Sequence, residues 1–336
     1  MKSETERASA KISRINDLKR DMTESLEHVA WRNHVKSDST IFVKPNFTYP
    51  YYKEGITTNP EMLRCLLGLL KNQCRRIIVG ESDGGYRAFS ADQAFEGHNM
   101  HEICRDTGAE LINLSKIAGK EIEDTIQGRR VKVRVPQMLL DQVDCFVDVP
   151  VLKVHVMTGV TLSIKNLWGC NPDTMRCLEH KHLDYKLALL TKALKPRLIV
   201  VDGIHALDGH GPMYGESKRT DLIICSNNPV LADSLGAAIM GIPLSKARHV
   251  LLANKEGLGP IDLTGSGLDK ESQKFQMHFH IDRTLIDRAS IILFNNEIVS
   301  KVVMDSPFTP MIYRIASIAR NSEERIVSND LERFKI

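Results

Sequence analysis

From residue 40 onward, the sequence alternates between short apolar runs and longer amphipathic stretches. Three apolar runs, at 41–43, 76–79 and 110–114, predict β-strands. The two stretches between them, 59–72 and 91–107, predict helices. Strands and helices in this order form a parallel sheet with right-handed crossovers. The alternation therefore restricts the chain to the α/β class.

The same pattern returns in the second half of the chain. Asn228 is a favourable N-cap and Pro229 suits the first position of a helix. The further predicted elements are strands at 131–135, 144–152, 197–201 and 221–225, and helices at 136–141, 183–194 and 229–240. The predicted fold is α/β: doubly wound, with a mostly parallel sheet, or sheets, and helices on both faces.

Two extensions are predicted to flank an α/β core at 36–260. Residues 1–35 predict an N-terminal helical extension, because their apolar residues recur at spacings of three and four. These residues are Ile12, Ile15, Leu18, Met22 and Leu26. Residues 261–336 form a predicted C-terminal extension with a strand-like run at 291–294 and a helix near 311–319.

The composition is that of an ordinary globular protein, with 42% hydrophobic and 26% charged residues and a net charge of +3. This charge is spread along the chain, so neither a nucleic-acid partner nor a membrane partner is expected. The seven cysteines are scattered and contain no C-x-x-C pair, so no disulfide framework, structural zinc site or iron–sulfur motif is predicted. The sequence contains no apolar signal segment and no apolar run long enough to span a membrane, so we expect a cytoplasmic protein. A homo-oligomer is compatible with the sequence.

Polar residues follow the apolar strand at 144–152 almost immediately. In open α/β sheets the ligand lies beyond the carboxyl ends of the strands, so these side chains are expected to face it. Lysines attract anions, and an imidazole can transfer protons near neutral pH. The expected catalytic residues are Lys153, His155 and Lys165, and the expected substrate-binding residues here are Thr158, Thr161 and Asn166.

Other strand ends supply further candidates. Lys44 and Asn46 end the first strand of the core, and Gly211 belongs to a glycine-rich loop that lets backbone approach a ligand. We expect these three residues to bind substrate. A divalent metal is a further expectation, because carboxylates and histidines follow other strands. Its candidate ligands are Glu81, Asp83, Asp202, His180 and His182.

The order of several motifs resembles one protein family. These include VKPN at 43–46, IIVGESDGG at 77–85, VPVLKVH at 149–155 and TGVTLSIKNLWG at 158–169. Over roughly residues 40–260 the chain is similar to the domain of unknown function family 362. The resemblance implies the α/β architecture of that family. Many members carry a ferredoxin-like cysteine segment, which this sequence lacks.

Three functional hypotheses follow. The first is an enzyme that binds a small carboxylate or phosphate in a cleft lined by lysine and histidine, and that performs proton abstraction, isomerisation or elimination with or without a metal. The second, implied by the resemblance alone, is a redox or accessory protein related to the iron–sulfur members. The third is a non-catalytic protein that binds anions or serves as a scaffold. The sequence identifies neither substrate nor cofactor.

Overall fold

The computed structural model describes residues 7–296, 300, 302 and 303. The strands are β1 (Ala10–Arg14), β2 (Thr40–Pro45), β3 (Arg76–Glu81), β4 (Glu110–Asn113), β5 (Gly119–Ile126), β6 (Arg129–Pro136), β7 (Cys145–Val149), β8 (Val151–His155), β9 (Gly159–Thr161), β10 (Leu198–Asp208) and β11 (Glu216–Ser226). The helices are α1 (Leu18–His28), α2 (Pro60–Leu70), α3 (Ala91–Gly97), α4 (Met100–Thr107), α5 (Met138–Asp141), α6 (Ser163–Asn166), α7 (Leu183–Leu194), α8 (Pro229–Met240), α9 (Arg248–Lys255), α10 (Leu268–Gln273) and α11 (Leu285–Asn295).

One large sheet organises the molecule, with strand order β1-β11-β10-β7-β2-β3-β4. Strands β10, β7, β2, β3 and β4 run parallel, whereas β11 is antiparallel to both of its neighbours. β8 pairs with β10 and with the short β9, so the sheet continues around the end of β7. A separate hairpin, β5–β6, packs against α7.

Side chains of the central strands alternate between two hydrophobic cores, one on each face of the sheet. In β2, Phe42 belongs to one core, and Ile41 and Val43 belong to the other. The first core also contains α7, α8 and α9, and the second contains α1, α2 and α4. Because both faces are covered, the central strands are mainly apolar, and their buried charged residues Lys44, Glu81 and Asp148 lie near the carboxyl ends. The predicted doubly wound, mostly parallel α/β class is confirmed.

Local signals at helix ends explain why several predicted elements agree closely. Asn228 accepts the backbone N–H groups of Val230 and Leu231 at the start of α8, as expected for an N-cap. Asn59 caps α2 in the same way, with Pro60 at the first helical position. The predicted ranges 183–194 and 229–240 coincide with α7 and α8.

Four local predictions were wrong. Ile12 lies in β1, which pairs with β11 at the sheet edge, and not on a helix. The run 291–294 lies inside α11 and is not a strand. Asn99, with φ of 56°, divides the predicted helix 91–107 into α3 and α4. Pro150 divides the strand 144–152 into β7 and β8, because proline has no N–H for continued pairing.

The helix predicted near 311–319 lies outside the described residues. None of the helices in the described part of the chain is long and apolar enough to cross a membrane.

The strand assignment of residues 10–14 predicts a stability effect at Ile12. Ile12 is 2% exposed and packs in the core that contains α7 and α8. Ile12→Ala should lower the free energy of unfolding by about 2–5 kcal/mol in urea denaturation, because it leaves a cavity in a packed core. The exposed Lys19→Ala change is the control. Equal stability of the two variants would contradict burial of this strand.

Candidate functional site

The carboxyl ends of β2, β3 and β7 bring three charged side chains together. Lys44 of β2 pairs in register with Asp148 of β7, and Glu81 is the last residue of β3. The Lys44 amine lies 2.6 Å from a Glu81 carboxylate oxygen, and the two side chains are only 1% and 5% exposed. The amine also donates to the Pro45 carbonyl at 2.8 Å. A buried ion pair therefore joins two strand ends.

Backbone groups complete the surroundings of this ion pair. Glu81 accepts the N–H groups of Phe47 at 3.1 Å and Ser82 at 3.0 Å. A Cβ on Gly169 would lie 2.8 Å from both the Lys44 amine and a Glu81 oxygen. Glycine at the end of the Lys-Asn-x-x-Gly segment is thus what lets the backbone approach the pair.

Two asparagines connect the strand ends to Asp148. The Asn46 amide donates to the Asn166 oxygen at 2.9 Å, and the Asn166 amide donates to the Asp148 carboxylate at 2.7 Å. Burial raises the pKa of Asp148 to about 7, and the nearby Ser163 hydroxyl and Asn166 amide oppose this shift. Asp148 therefore exchanges its proton near neutral pH.

Lys153 is completely buried, and its partners among the described residues are all neutral. Its amine donates to the Asn46 oxygen at 3.1 Å, the Thr48 hydroxyl at 3.0 Å and the Ile56 carbonyl at 2.7 Å. Burial, followed by the charges of neighbouring lysines, lowers its pKa well below the usual range. Its amine is fully engaged, so Lys153 holds the loop after β2 in place.

Asp233 of α8 fixes the short helix α6, which carries Lys165. Its carboxylate accepts the backbone N–H groups of Ser163 at 2.7 Å and Ile164 at 3.1 Å. These groups have no partner inside the helix, so a carboxylate from another helix acts as their cap. Burial raises the pKa of Asp233 well above its usual range. The position of Lys165 thus depends on a distant part of the chain.

Lys165 differs from the other lysines of this cluster in its contacts. The side chain is half-buried, and its amine has no hydrogen-bond or ion-pair partner among residues 7–296, 300, 302 and 303. Burial, then the positive charges of Arg176 and Lys44, lowers the pKa of Lys165 to about 8. At neutral pH the amine is mostly protonated, with a minor neutral fraction.

Lys165 acts electrostatically on three histidines. Its positive charge is the largest contribution after burial to the lowered pKa of His155, His180 and His249. The pKa values of His180 and His249 fall to about 3, so both rings are neutral at physiological pH. His249 is 0% exposed, and neither of its ring nitrogens has a partner within the described part of the chain.

The hydrogen bonds of His155 define its tautomer. Nδ1 accepts the backbone N–H groups of Met157 at 3.0 Å and Thr158 at 3.4 Å. Nδ1 is therefore the unprotonated nitrogen, and Nε2 carries the hydrogen. Burial, then the charge of Lys165, lowers the pKa of His155 well below its usual range, so the ring is neutral. It can donate a hydrogen bond from Nε2.

More buried polar atoms of this region lack a partner in the described residues. They are Trp168 Nε1, Thr161 Oγ1 and His180 Nδ1. The His180 ring lies between two aromatic rings, with centroid distances of 5.9 Å to Trp168 and 5.6 Å to Phe294 of α11. Buried polar groups normally have a partner, so several unpaired ones in one region indicate a place for a polar ligand or water.

Two predicted metal ligands bind backbone or amide groups elsewhere. Asp83 accepts the Ala91 N–H at 2.8 Å and the Asn113 amide at 2.9 Å. Asp202 accepts the N–H groups of Asn59 at 2.7 Å and Ile204 at 3.0 Å. Burial raises the pKa of the Asp202 carboxyl to about 6. Both aspartates hold local backbone in place.

The remaining candidate ligands are also apart. His182 lies at the start of α7, with Nε2 2.9 Å from the Arg129 guanidinium, whereas Glu81 is paired with Lys44. Within the described chain, no three histidine, cysteine, aspartate or glutamate side chains are grouped so that they could hold a metal ion. A metal role for these residues stays a prediction.

Two predicted substrate-binding residues contact neighbouring backbone. The Thr158 hydroxyl donates to the Val160 carbonyl at 3.1 Å. The Gly211 carbonyl accepts the Val156 N–H at 3.0 Å, and a Cβ on Gly211 would overlap the Val154 carbonyl. Gly211 thus allows close approach of its loop to β8. Their contact with substrate stays a prediction.

Sequence reasoning missed three residues of this site. Asp148 is a charge inside an otherwise apolar strand, which is a signal that could have been used. His249 lies on a helix more than ninety residues after His155, and no motif connects the two. Arg176 lies in a short turn, and its charge lowers the pKa of Lys165. Only the folded chain brings the last two to Lys165.

The fold and the strand-end site define an α/β protein with a buried cluster of lysines and histidines. Residues 41–238 match the family described as Domain of unknown function (DUF362), so the chain belongs to that family. The predicted resemblance is confirmed.

Two individual proteins are similar to the chain. The Thylakoid-associated protein sll1697 of Synechocystis sp. is 25% identical over 286 residues, which cover 74% of this chain and 85% of that protein. A crystal structure of a Thermotoga maritima protein is 9% identical, with a TM-score of 0.37, and the match covers 71% of this chain and 58% of that one.

The buried ion pair predicts a strong effect of Glu81→Gln. This change leaves the Lys44 charge buried without its counter-charge and should lower the free energy of unfolding by about 3–5 kcal/mol. Denaturant unfolding measures the loss. The double change Lys44→Met with Glu81→Gln should be more stable than Glu81→Gln alone, because it removes the uncompensated charge. A loss below about 1 kcal/mol in the single variant would refute this role.

The raised pKa of Asp148, about 7 against an ordinary 3.8, predicts a pH dependence of stability. Between these values the folded state binds the proton more tightly than the unfolded state does. This contribution to unfolding free energy therefore falls as pH rises, by at most about 1.4 kcal/mol per pH unit, and levels off above about pH 7.

The change Asp148→Asn removes this titration. The stability of the wild type minus that of the variant should decline from about pH 5 to pH 7 and then stay constant. Thermal or urea unfolding at a series of pH values measures the difference. The exposed Asp38→Asn change is the control for the removal of one negative charge. A pH-independent difference for Asp148→Asn would show that its pKa is ordinary.

Proposed function

We propose that the protein is an enzyme that binds a small carboxylate or phosphate beside Lys165 and performs acid/base chemistry on it. The observation that carries the proposal is the Lys165 amine: half-buried, and without a partner among the described residues. A lysine positioned by burial and by a capped helix, yet left unpaired, is suited to meet an anion.

The charges around Lys165 favour an anionic ligand. Lys44 and Arg176 add positive charge, and the rings of His155 and His249 are neutral. The unpaired indole N–H of Trp168 is a further hydrogen-bond donor. Each hydrogen bond that involves a charged group contributes roughly 1.5–3 kcal/mol to binding. Several such bonds would hold a small carboxylate or phosphate.

In this proposal, Lys165 and His155 would have different acid/base roles. The protonated form of Lys165 would bind the anion, and the minor neutral form, set by a pKa of about 8, would act as the base. His155 uses Nδ1 to accept backbone N–H groups, so it would serve as a hydrogen-bond donor through Nε2 rather than as the base. Proton abstraction next to a carboxylate, with isomerisation or elimination following from it, is the reaction class that this pair supports.

The roles of Lys44 and Lys153 in this proposal are indirect. Both amines are engaged with internal partners, Glu81 for Lys44 and three neutral acceptors for Lys153. They hold the strand ends in place, while Lys165 would meet the ligand.

We also propose a reducing, cytoplasmic location. All seven cysteines are free, and burial raises the pKa of Cys104 and Cys145 to about 12, so these thiols stay protonated and unreactive. The thylakoid association in the name of the Synechocystis protein is a property of that relative.

Anion binding should depend on Lys165. We expect Lys165→Met to weaken binding of inorganic phosphate or acetate by about tenfold or more, because one charge-assisted hydrogen bond is lost. Isothermal titration calorimetry measures the affinity. Wild-type binding should also weaken as pH rises through about 8, the pKa at which the amine loses its positive charge.

The exposed neighbour Lys181 provides the matched control, and Lys181→Met should bind like the wild type. Equal weakening by both variants would mean that the effect is a general one of net charge. Wild-type protein that binds neither phosphate nor acetate at any pH would refute the proposed site.

A further inference from the structure

We propose that Lys165 forms a Schiff base with an anionic substrate that carries an aldehyde or ketone group, such as a 2-oxo acid. This inference rests on the proposed function, since it concerns the same pocket, and it specifies the class of substrate.

The first argument is the contrast among the lysines of the site. A nucleophilic lysine needs an amine that is sheltered from bulk water but not consumed by a protein acceptor. Lys44 and Lys153 are 1% and 0% exposed, and both donate to protein oxygens. Lys165 is half-buried, and its amine has no acceptor in the described part of the chain. The Lys165 amine is therefore accessible to a substrate and partly sheltered from bulk water.

The second argument is the charge around this amine. Desolvation and neighbouring cations are the two means by which proteins keep a lysine neutral enough to attack a carbonyl. Burial and the charges of Arg176 and Lys44 act on Lys165 in this way and lower its pKa to about 8. About one amine in ten is then neutral at pH 7.

The third argument is the unpaired polar atoms beside Lys165. His249, with 0% exposure, has two ring nitrogens without a partner among the described residues, and Trp168 Nε1 is unpaired as well. His155 presents an N–H at Nε2. These groups are suited to the oxygens of a carboxylate and of the intermediate formed from the carbonyl.

The reaction is balanced without an oxidant or a reductant. The neutral Lys165 amine attacks the carbonyl carbon, so a C–N bond forms and the C=O π bond breaks. The oxygen takes up the proton that the nitrogen releases. The C–O bond then breaks, the leaving hydroxyl takes up the second proton of the nitrogen, and the C=N bond forms, so that one water molecule is produced for each Schiff base.

Reductive trapping tests the inference. Full-length protein is incubated with pyruvate or glyoxylate and sodium cyanoborohydride, which reduces the C=N bond to a stable secondary amine. Intact-mass spectrometry should show one reduced adduct, and peptide mapping of the wild-type protein should place it on Lys165. The yield should rise between about pH 6 and pH 8 as the amine becomes neutral.

Controls separate the covalent step from binding. Lys165→Arg should abolish the adduct, and Lys181→Arg should preserve it. Because mapping is done on the wild type, a folding defect in the Lys165 variant does not affect the test. Adducts spread over exposed lysines, or none on Lys165, would overturn the inference.

Lactate, which has no carbonyl group, distinguishes this result from failure of the proposed function. If calorimetry shows that lactate binds but no adduct forms with pyruvate or glyoxylate, the Schiff base is excluded and the proposed anion site is still supported. If lactate, pyruvate and phosphate all fail to bind and no adduct forms, both the Schiff base and the anion-binding site are refuted.

Discussion

The buried ion pair between Lys44 and Glu81 is the interaction on which the rest of the site depends. It joins the ends of β2 and β3 at 2.6 Å, and Gly169 packs directly on it. Such a pair is costly to desolvate, and it is stable only when further hydrogen bonds satisfy its remaining groups. The N–H groups of Phe47 and Ser82 and the Pro45 carbonyl supply them. The segment from α6 to Gly169 is thereby held against the sheet.

Around this ion pair, the polar side chains at the strand ends are linked by hydrogen bonds. Asn46 and Asn166 link the strand ends to Asp148. Lys153 donates a hydrogen bond to the Ile56 carbonyl and so holds the loop after β2 in place. Lys165 is different, because its amine is left unpaired by the described residues around it. The contrast separates the side chains that hold the strand ends together from the lysine whose amine has no partner in the described part of the chain.

The fold was largely predictable, because apolar runs and helix caps are local signals. The caps at Asn59 and Asn228 and the apolar central strands follow from neighbouring residues. Ile12 was misassigned because three- and four-residue spacing also occurs by chance across a strand and the helix after it. Lys165 and His155 were found from their place after a strand. Arg176 and His249 were not, since their approach to Lys165 is a product of tertiary packing.

His249 and Phe294 lie outside the region of the chain that matches the family, although both contribute to the surroundings of the lysine and histidine cluster. The family match ends at residue 238, yet His249 lies beside Lys165 and Phe294 lies on the His180 ring. A fragment trimmed to the matched region would keep the sheet strands β2 to β11 and lose His249 and Phe294. The surroundings of Lys165 are thus formed by the family domain together with sequence that follows it, and relatives that differ in that following sequence would place different side chains around this amine.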